Sequence, residues 1–220
     1  MLQDQTPQER DLFLRTEEAI AIGTKRLDWV MKTLALFAAL FVATRAMADD
    51  AQLDEEASTL KFTGHAFLHD FHGEAKEFHG VAQIDPTRPE LVHSAYLKIM
   101  AAKMTTFEDA RDHNMETWLN VTANPVILFE LTKVTPLTGD LAHATKEHPA
   151  QFTVSGTFML NKVGKPLETT ATAWRDGKNL VVEGTTQIDT EDHGLPVVRT
   201  LFLTVDKQVD IAFHLVFELP

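Results

Sequence analysis

The 220-residue chain contains no cysteine. Disulfide bonds, a thiol nucleophile and a thiolate metal site are therefore excluded, and the core alone must hold the fold. No Gly-x-Gly occurs, so neither the dinucleotide-binding nor the phosphate-loop fingerprint is available. The only serines are Ser58, Ser94 and Ser155, and none lies in a Gly-x-Ser-x-Gly elbow. Enzymes of these common types are disfavoured, and we predict no catalytic residue.

Basic residues are few, with 20 Lys and Arg against 32 Asp and Glu, which gives a net charge of −12. Residues 1–48 carry equal numbers of both signs, so the charge stays the same without them. An acidic chain without a basic cluster does not suit nucleic acid or an anionic membrane surface. We expect no nucleic-acid partner.

A long hydrophobic run is also missing. Residues 34–44 (LALFAALFVAT) form an apolar run that is too short to span a bilayer, which needs about 20 apolar residues. Met31-Lys32 precedes this run, and Ala46-Met47-Ala48 follows it as a small-x-small cleavage site. Residues 31–48 are therefore interpreted as a helical signal peptide that is cleaved after Ala48. Export without cysteine fits a bacterial periplasm best.

Because a signal peptide acts from the N-terminus, residues 1–30 are interpreted as upstream sequence translated from a wrongly chosen start. The alternative is a genuine extension with a buried or anchoring helix. Residues 49–57 (DDAQLDEEA) are predicted to be a short acidic, disordered leader. One domain over residues 58–220 remains, and its length allows a sizeable core.

From Ser58 onwards apolar residues recur with period two, which is typical of half-buried antiparallel strands. The clearest alternation lies in residues 151–160, 167–174, 180–188 and 209–217. Only Thr105 to Asn120 looks helical, with Thr105 and Glu108 at capping-box spacing. About eight strands with one helical insertion predict an all-β fold, either a closed antiparallel barrel or a sandwich.

The interior of an eight-stranded barrel is either filled or able to hold one small ligand. Inward positions here mix large residues such as Phe158 and Phe213 with small ones such as Gly156 and Gly184. This mixture is compatible with tight interdigitation and with an apolar cavity. Periodicity alone does not decide between them.

The segment from Thr105 to Glu130 contains an ordered set of motif positions: Thr106, Arg111-Asp112, Asn114-Met115, Trp118-Leu119, Asn124-Pro125 and Phe129. In this order they resemble the signature of the YceI-like family. Flanking stretches over Ser58 to Phe217 extend the likeness to nearly the whole predicted domain. The chain departs from the family pattern where Lys162 and Gly164 replace Gly and Thr in a turn, and where His193 replaces an aromatic residue. Both departures leave the predicted fold intact.

The resemblance implies an eight-stranded lipocalin-like barrel with an apolar channel. It also implies a periplasmic protein that binds isoprenoid chains, such as quinone tails or polyprenyl phosphates. No other cofactor is implied. Transient membrane contact and a homodimer stay open. Residues chosen as the ligand-contacting lining of the channel are Phe152, Val154, Phe158, Ile211, Phe213 and Leu215.

Arg111 and Asp112 form the most attractive polar pair. Arg111 suits a ligand headgroup, either a quinone carbonyl or a phosphate. The alternative is that the pair caps the region between loop and helix, and we favour this structural role.

Ten histidines invite a metal hypothesis. On a straight strand His65 and His69 lie about 13 Å apart, too far to chelate one ion. We predict no metal site. Two further functions stay open beside lipid binding: a filled barrel that acts as an interaction or stress-response module, and a histidine-dependent metal or haem partner in electron transfer.

Overall fold

The computed structural model describes residues 49–66, 69–85, 88–198 and 204–219. The predicted upstream extension and signal peptide lie outside these residues. Within the described ranges, no helix is both long and apolar enough to cross a membrane.

The described residues form eleven strands and one α-helix. They are β1 (Asp49–Leu53), β2 (Thr59–Ala66), β3 (Phe71–Ala75), β4 (Phe78–Asp85), β5 (Arg88–Met100), β6 (Met104–Thr105), α1 (Asp109–Leu119), β7 (Val126–Thr138), β8 (Ala150–Leu160), β9 (Val163–Asp176), β10 (Asn179–Asp189) and β11 (Val205–Glu218).

Eight of these strands close into an antiparallel barrel in the order β1-β4-β5-β7-β8-β9-β10-β11. Closure occurs because β1 also pairs with the end of β11, with Leu53 opposite Phe217. The earlier part of β11 pairs with β2, which continues into β3 and β6. The helix follows β6. The predicted eight-stranded antiparallel barrel with a short helical insertion is confirmed.

The prediction of a disordered leader over residues 49–57 is wrong, because β1 is a strand of the barrel. It pairs with β4 along residues 49–52, and the Ala51 and Leu53 side chains are buried. Their alternation with Asp50 and Gln52 is the period-two signal of a strand, which the acidic composition obscured. The barrel therefore begins at β1 and not at Ser58.

The predicted capping box at Thr105 is also wrong. Thr105 belongs to β6 and pairs with Glu74 of β3, so its backbone is committed to the sheet. The helix begins at Asp109 after Glu108, which makes no side-chain capping bond. The helix ends at Leu119, one residue before the predicted limit, and Asn120 follows it in the left-handed conformation at φ 49°.

The turn between β8 and β9 forms despite its departure from the family pattern. Asn161 and Lys162 have φ values of 50° and 62°. Positive φ at both central residues defines the two-residue hairpin turn whose twist matches the flanking strands. Asn accepts this conformation readily, whereas Lys pays a steric cost there.

Candidate ligand cavity

The barrel encloses a cavity of about 820 Å³. This volume lies in the upper part of the range that small-molecule pockets occupy. The mixture of large and small inward residues therefore leaves space instead of filling the interior.

Strands β10 and β11 supply much of the cavity wall. The alternation within residues 180–188 and 209–217 predicted one face for each strand, and every residue of these faces except Gly184 lines the cavity: Leu180, Val182, Thr186, Ile188, Val209, Ile211, Phe213, Leu215 and Phe217. The period-two pattern thus identified the inward face of both strands.

Five of the six residues predicted to form the lining do so: Val154, Phe158, Ile211, Phe213 and Leu215. Their contact with a ligand stays a prediction. The sixth, Phe152, is buried but lies outside the lining. In the sheet register it stands opposite Pro136 and Ala171, which are outside the lining as well. Phe152 is correctly placed on the inward face, but it packs in the core beyond the cavity.

The helix borders the cavity. Six of its residues line it: Arg111, Asn114, Met115, Thr117, Trp118 and Leu119. Of these, Arg111, Asn114, Met115 and Trp118 have the spacing i, i+3, i+4 and i+7, which places them on a single helical stripe. Because this stripe carries a guanidinium and an amide, it brings polar groups to a cavity that is otherwise mostly apolar.

Arg111 holds the start of the helix and also borders the cavity. Its Nε donates to Thr106 Oγ1 at 2.9 Å, and its Nη2 lies 2.9 Å from Glu108 Oε2. Its guanidinium carbon lies 5.6 Å from the centre of the Phe71 ring, within cation–π range. These contacts fix the start of the helix, as the favoured interpretation predicted, while the side chain also faces the cavity.

Asp112 binds the strand that precedes the helix. It accepts a hydrogen bond from Thr105 Oγ1 at 2.6 Å and from the Thr106 backbone N–H at 2.6 Å, and Thr106 Oγ1 also donates to it. Partial burial opposes ionisation of this carboxyl, but these hydrogen bonds and the Arg111 charge outweigh burial and lower its pKa. Asp112 is therefore a structural anion.

The Trp118 indole connects the helix to the segment of residues 195–198. Its Nε1–H donates to the Pro196 carbonyl at 2.8 Å. Pro196, Val197 and Val198 line the cavity too. The bond thus joins two elements that border the same space. Residues 195–198 carry no periodic pattern of apolar residues, so this contact was not predicted.

A cluster of polar residues joins β2 to β11. The His65 ring bonds to Asp70 Oδ1 at 3.0 Å through Nδ1 and to Asp210 Oδ2 at 2.9 Å through Nε2. Gln187 Nε2 also donates to Asp210 at 2.8 Å. Carboxylates only accept, so both bonds together require the imidazolium form of His65. The hydrogen bonds to Asp210 and then Asp70 raise the His65 pKa.

His193 has a structural role in the packing of the core. His193 is buried, its Nδ1 lies 2.8 Å from the Val163 carbonyl, and its ring meets Phe158 edge to face at 5.6 Å. It thereby takes the packing position of the aromatic residue that the family pattern has there. In the part of the chain that the structure describes, no group of three or more His, Asp or Glu side chains is arranged to hold a metal ion.

Comparison with known proteins gives a consistent result. The YceI-like domain matches residues 52–217. A UPF0312 protein of Pseudomonas aeruginosa is 30% identical over 149 residues, which cover 64% of this chain and 70% of the relative.

Two solved structures share the fold. BcnA of Burkholderia cenocepacia superposes with a TM-score of 0.63 at 17% identity, over 74% of this chain and 98% of that one. A polyisoprenoid-binding domain from Saccharophagus degradans, implicated in plant cell wall breakdown, superposes with a TM-score of 0.61 at 19% identity, over 77% and 98% of the two chains. At these identities the superpositions establish a common barrel.

Proposed function

The chain belongs to the YceI-like domain family, and from this premise we propose that it binds one long-chain isoprenoid amphiphile, a quinone or a polyprenyl lipid, inside its barrel. The apolar cavity of about 820 Å³ is the observation that carries the proposal. The proposal includes export to the periplasm with cleavage after Ala48. In the periplasm a lipid must cross water between two membranes. Binding, and not catalysis, is the proposed activity.

The arrangement of polar groups suits an amphiphile. The apolar strand walls would hold the isoprenoid chain, and the stripe of α1 would meet the headgroup. Arg111 and Asn114 both face the cavity and offer N–H donors. A quinone carbonyl or a phosphate oxygen is a suitable acceptor for them.

The energetics favour reversible exchange with a membrane. Moving one five-carbon unit from water into an apolar site contributes roughly 3–4 kcal/mol before costs. Eight such units would exceed the practical affinity ceiling of roughly 18–21 kcal/mol. In a cell the lipid leaves a bilayer that is as apolar as the cavity, so the net free energy is close to neutral. A carrier of this kind loads and unloads without tight binding.

Two further observations bear on the choice between functions. The barrel neighbour described as a polyisoprenoid-binding domain supports a lipid ligand for this fold. The open cavity disfavours the alternative of a filled barrel, because a module that acts only through its surface needs no such space.

Lipid transfer from vesicles tests the proposal. Purified protein is mixed with phosphatidylcholine vesicles that contain a long-chain ubiquinone, the vesicles are pelleted, and the quinone absorbance of the supernatant is measured. The Ile211→Trp variant adds bulk to the cavity, whereas Ala212→Trp places the same indole side chain on the outward face of the same strand.

We expect quinone in the supernatant with the unaltered chain and with Ala212→Trp, and little with Ile211→Trp. Absence of transfer to the unaltered chain would contradict the proposal. Equal transfer to both variants would place the binding site outside the cavity.

A further inference from the structure

Four of the phenylalanines that line the cavity lie against glycines of a neighbouring strand. The pairs are Phe71 on Gly64, Phe62 on Gly73, Phe129 on Gly156, and Phe213 on Gly184. A Cβ built on any of these glycines would come closer than 3.0 Å to the phenyl ring, a distance that real Cβ atoms essentially never show. Each ring therefore occupies the space of a missing side chain.

All four glycines stand at inward positions. Gly184 lies between Val182 and Thr186, and Gly64 between Phe62 and Ala66, and all four of these neighbours line the cavity. A side chain at Gly64 or Gly184 would point into the cavity. Because glycine has no side chain, the phenyl ring from the next strand lies against the barrel wall at that position. The cavity therefore stays open there.

The hairpin of β2 and β3 contains two of the pairs in reciprocal order. Phe62 stands opposite Gly73, and Gly64 stands opposite Phe71. The Arg111 guanidinium also lies 5.6 Å from the centre of the Phe71 ring. The position of this ring therefore depends on both Gly64 and Arg111.

We propose that these glycines set the bore of the cavity and thereby determine whether a methyl-branched chain fits. The inference rests on the proposed function for the nature of the ligand. A methyl group at Gly184 would displace the Phe213 ring, and since the sheet backbone blocks outward movement, the ring must move into the lumen. A branched chain has a wider cross-section than a linear one and is affected more.

The environment of each glycine decides which variants test this. At Gly73 and Gly156 a Cβ would also collide with the backbone carbonyls of Thr105 and Glu130, so these changes would distort the sheet. At Gly64 and Gly184 the three nearest atoms all belong to the phenyl ring. Gly64→Ala and Gly184→Ala are therefore the informative variants.

Gly164→Ala is the matched control. Gly164 also lies in a strand, but a Cβ there would meet only the Thr157 methyl group at 3.2 Å, and the position is outside the cavity lining. This variant measures the general effect of replacing a strand glycine by alanine.

The experiment compares two alcohols of equal main-chain length, branched geranylgeraniol and linear hexadecan-1-ol. Each is partitioned between phosphatidylcholine vesicles and the full chain. We expect Gly64→Ala and Gly184→Ala to lower the partitioning of geranylgeraniol about 10- to 100-fold, as changes of one carbon in an apolar pocket do. Partitioning of hexadecan-1-ol should change much less, and Gly164→Ala should change neither.

A double variant, Gly184→Ala with Phe213→Leu, removes the collision between the new methyl group and the phenyl ring. It should restore the partitioning of geranylgeraniol into the protein. It also serves if Gly184→Ala alone fails to fold. Equal losses for both alcohols, a loss of the same size in Gly164→Ala, or no recovery in the double variant would overturn the inference.

A crystal structure of Gly184→Ala separates the two proposals. If the unaltered chain takes up neither alcohol, the proposed function fails. The effect of Gly184 on the width of the cavity is then tested only by the position of the Phe213 ring in this crystal structure. A ring displaced into a smaller cavity supports the inference, and an unchanged cavity contradicts it.

Discussion

At the scale of single residues, Asp112 holds the start of the helix that faces the cavity. Replacing it by Asn removes the charge that accepts hydrogen bonds from Thr105 and Thr106. Hydrogen bonds to a charged group contribute about 1.5–3 kcal/mol each, less where water competes. We expect Asp112→Asn to lower the free energy of unfolding by about 1–3 kcal/mol, measured by urea denaturation.

Asp109→Asn provides the comparison, because Asp109 lies in the same first turn but its side chain is exposed. Its loss removes a favourable charge near the helix start, which contributes about 0.3–1 kcal/mol. Equal losses in the two variants would show that the hydrogen bonds of Asp112 are not special.

Period two explains which single residues could be predicted. Alternation assigns a residue to the inward or outward face, and it placed Val154, Phe158 and Ile211 correctly on the inward face. It contains no information about depth along the barrel, which depends on strand register. For that reason Phe152 was placed on the right face but wrongly in the lining. Which phenyl ring lies against which glycine also depends on strand register, so these pairs could not be predicted from the sequence.

At the scale of elements, His65 of β2 bonds to Asp70, which precedes β3, and to Asp210 of β11. The pKa of His65 is raised above 6.5, so its contribution to stability is complete below pH 6.5 and is lost as the pH rises through the raised value. The pKa of Asp210 is lowered below 3.8, chiefly by the Gln187 hydrogen bond, so its contribution is lost only as the pH falls below that value. The contact is strongest between these limits.

We therefore expect His65→Gln to lower the melting temperature more at about pH 5.5 than at about pH 8.5. His72→Gln is the control, because His72 lies in the same hairpin but its Nδ1 is bonded to the Thr63 hydroxyl at 2.9 Å and not to a carboxylate. A pH-independent loss in His65→Gln would contradict the ionic role of this histidine.

A second prediction concerns the connection between α1 and residues 195–198. Trp118→Phe keeps an aromatic ring at the cavity but removes the N–H that donates to Pro196. The loss of about 0.5–1.5 kcal/mol should accelerate hydrogen exchange of the α1 amides roughly twofold to tenfold. Unchanged exchange in α1 would mean that the indole hydrogen bond does not hold the helix.

The elements that sequence reasoning missed are those in which tertiary pairing overrides a local signal. Thr105 matches a capping box by spacing, but pairing of β6 with β3 commits its backbone to the sheet. The acidic segment at Asp49 looks disordered by composition, but β4 and β11 supply both neighbours for a strand. The longer strands of the C-terminal half carry enough alternation to be predicted without such context.

At the scale of the whole molecule, closure of the barrel depends on β1. This short strand fills the position between β4 and β11, and Ala51 and Leu53 bury their side chains there. A chain that begins at Asp49 should fold with the full barrel. One that begins at Ser58 should lose about 2–4 kcal/mol of stability, because a buried Leu and the ladder of β1 are missing.

Urea denaturation of the two truncated chains measures this difference. Equal free energies of unfolding would contradict a closing role for β1.

Native mass spectrometry tests most directly whether the barrel holds a lipid. The full chain is expressed in a bacterium that makes isoprenoid quinones and is purified without added lipid. We predict one bound lipid of several hundred daltons per chain, which Ile211→Trp excludes and Ala212→Trp retains. An empty protein that also takes up no quinone from vesicles would contradict lipid binding inside the barrel.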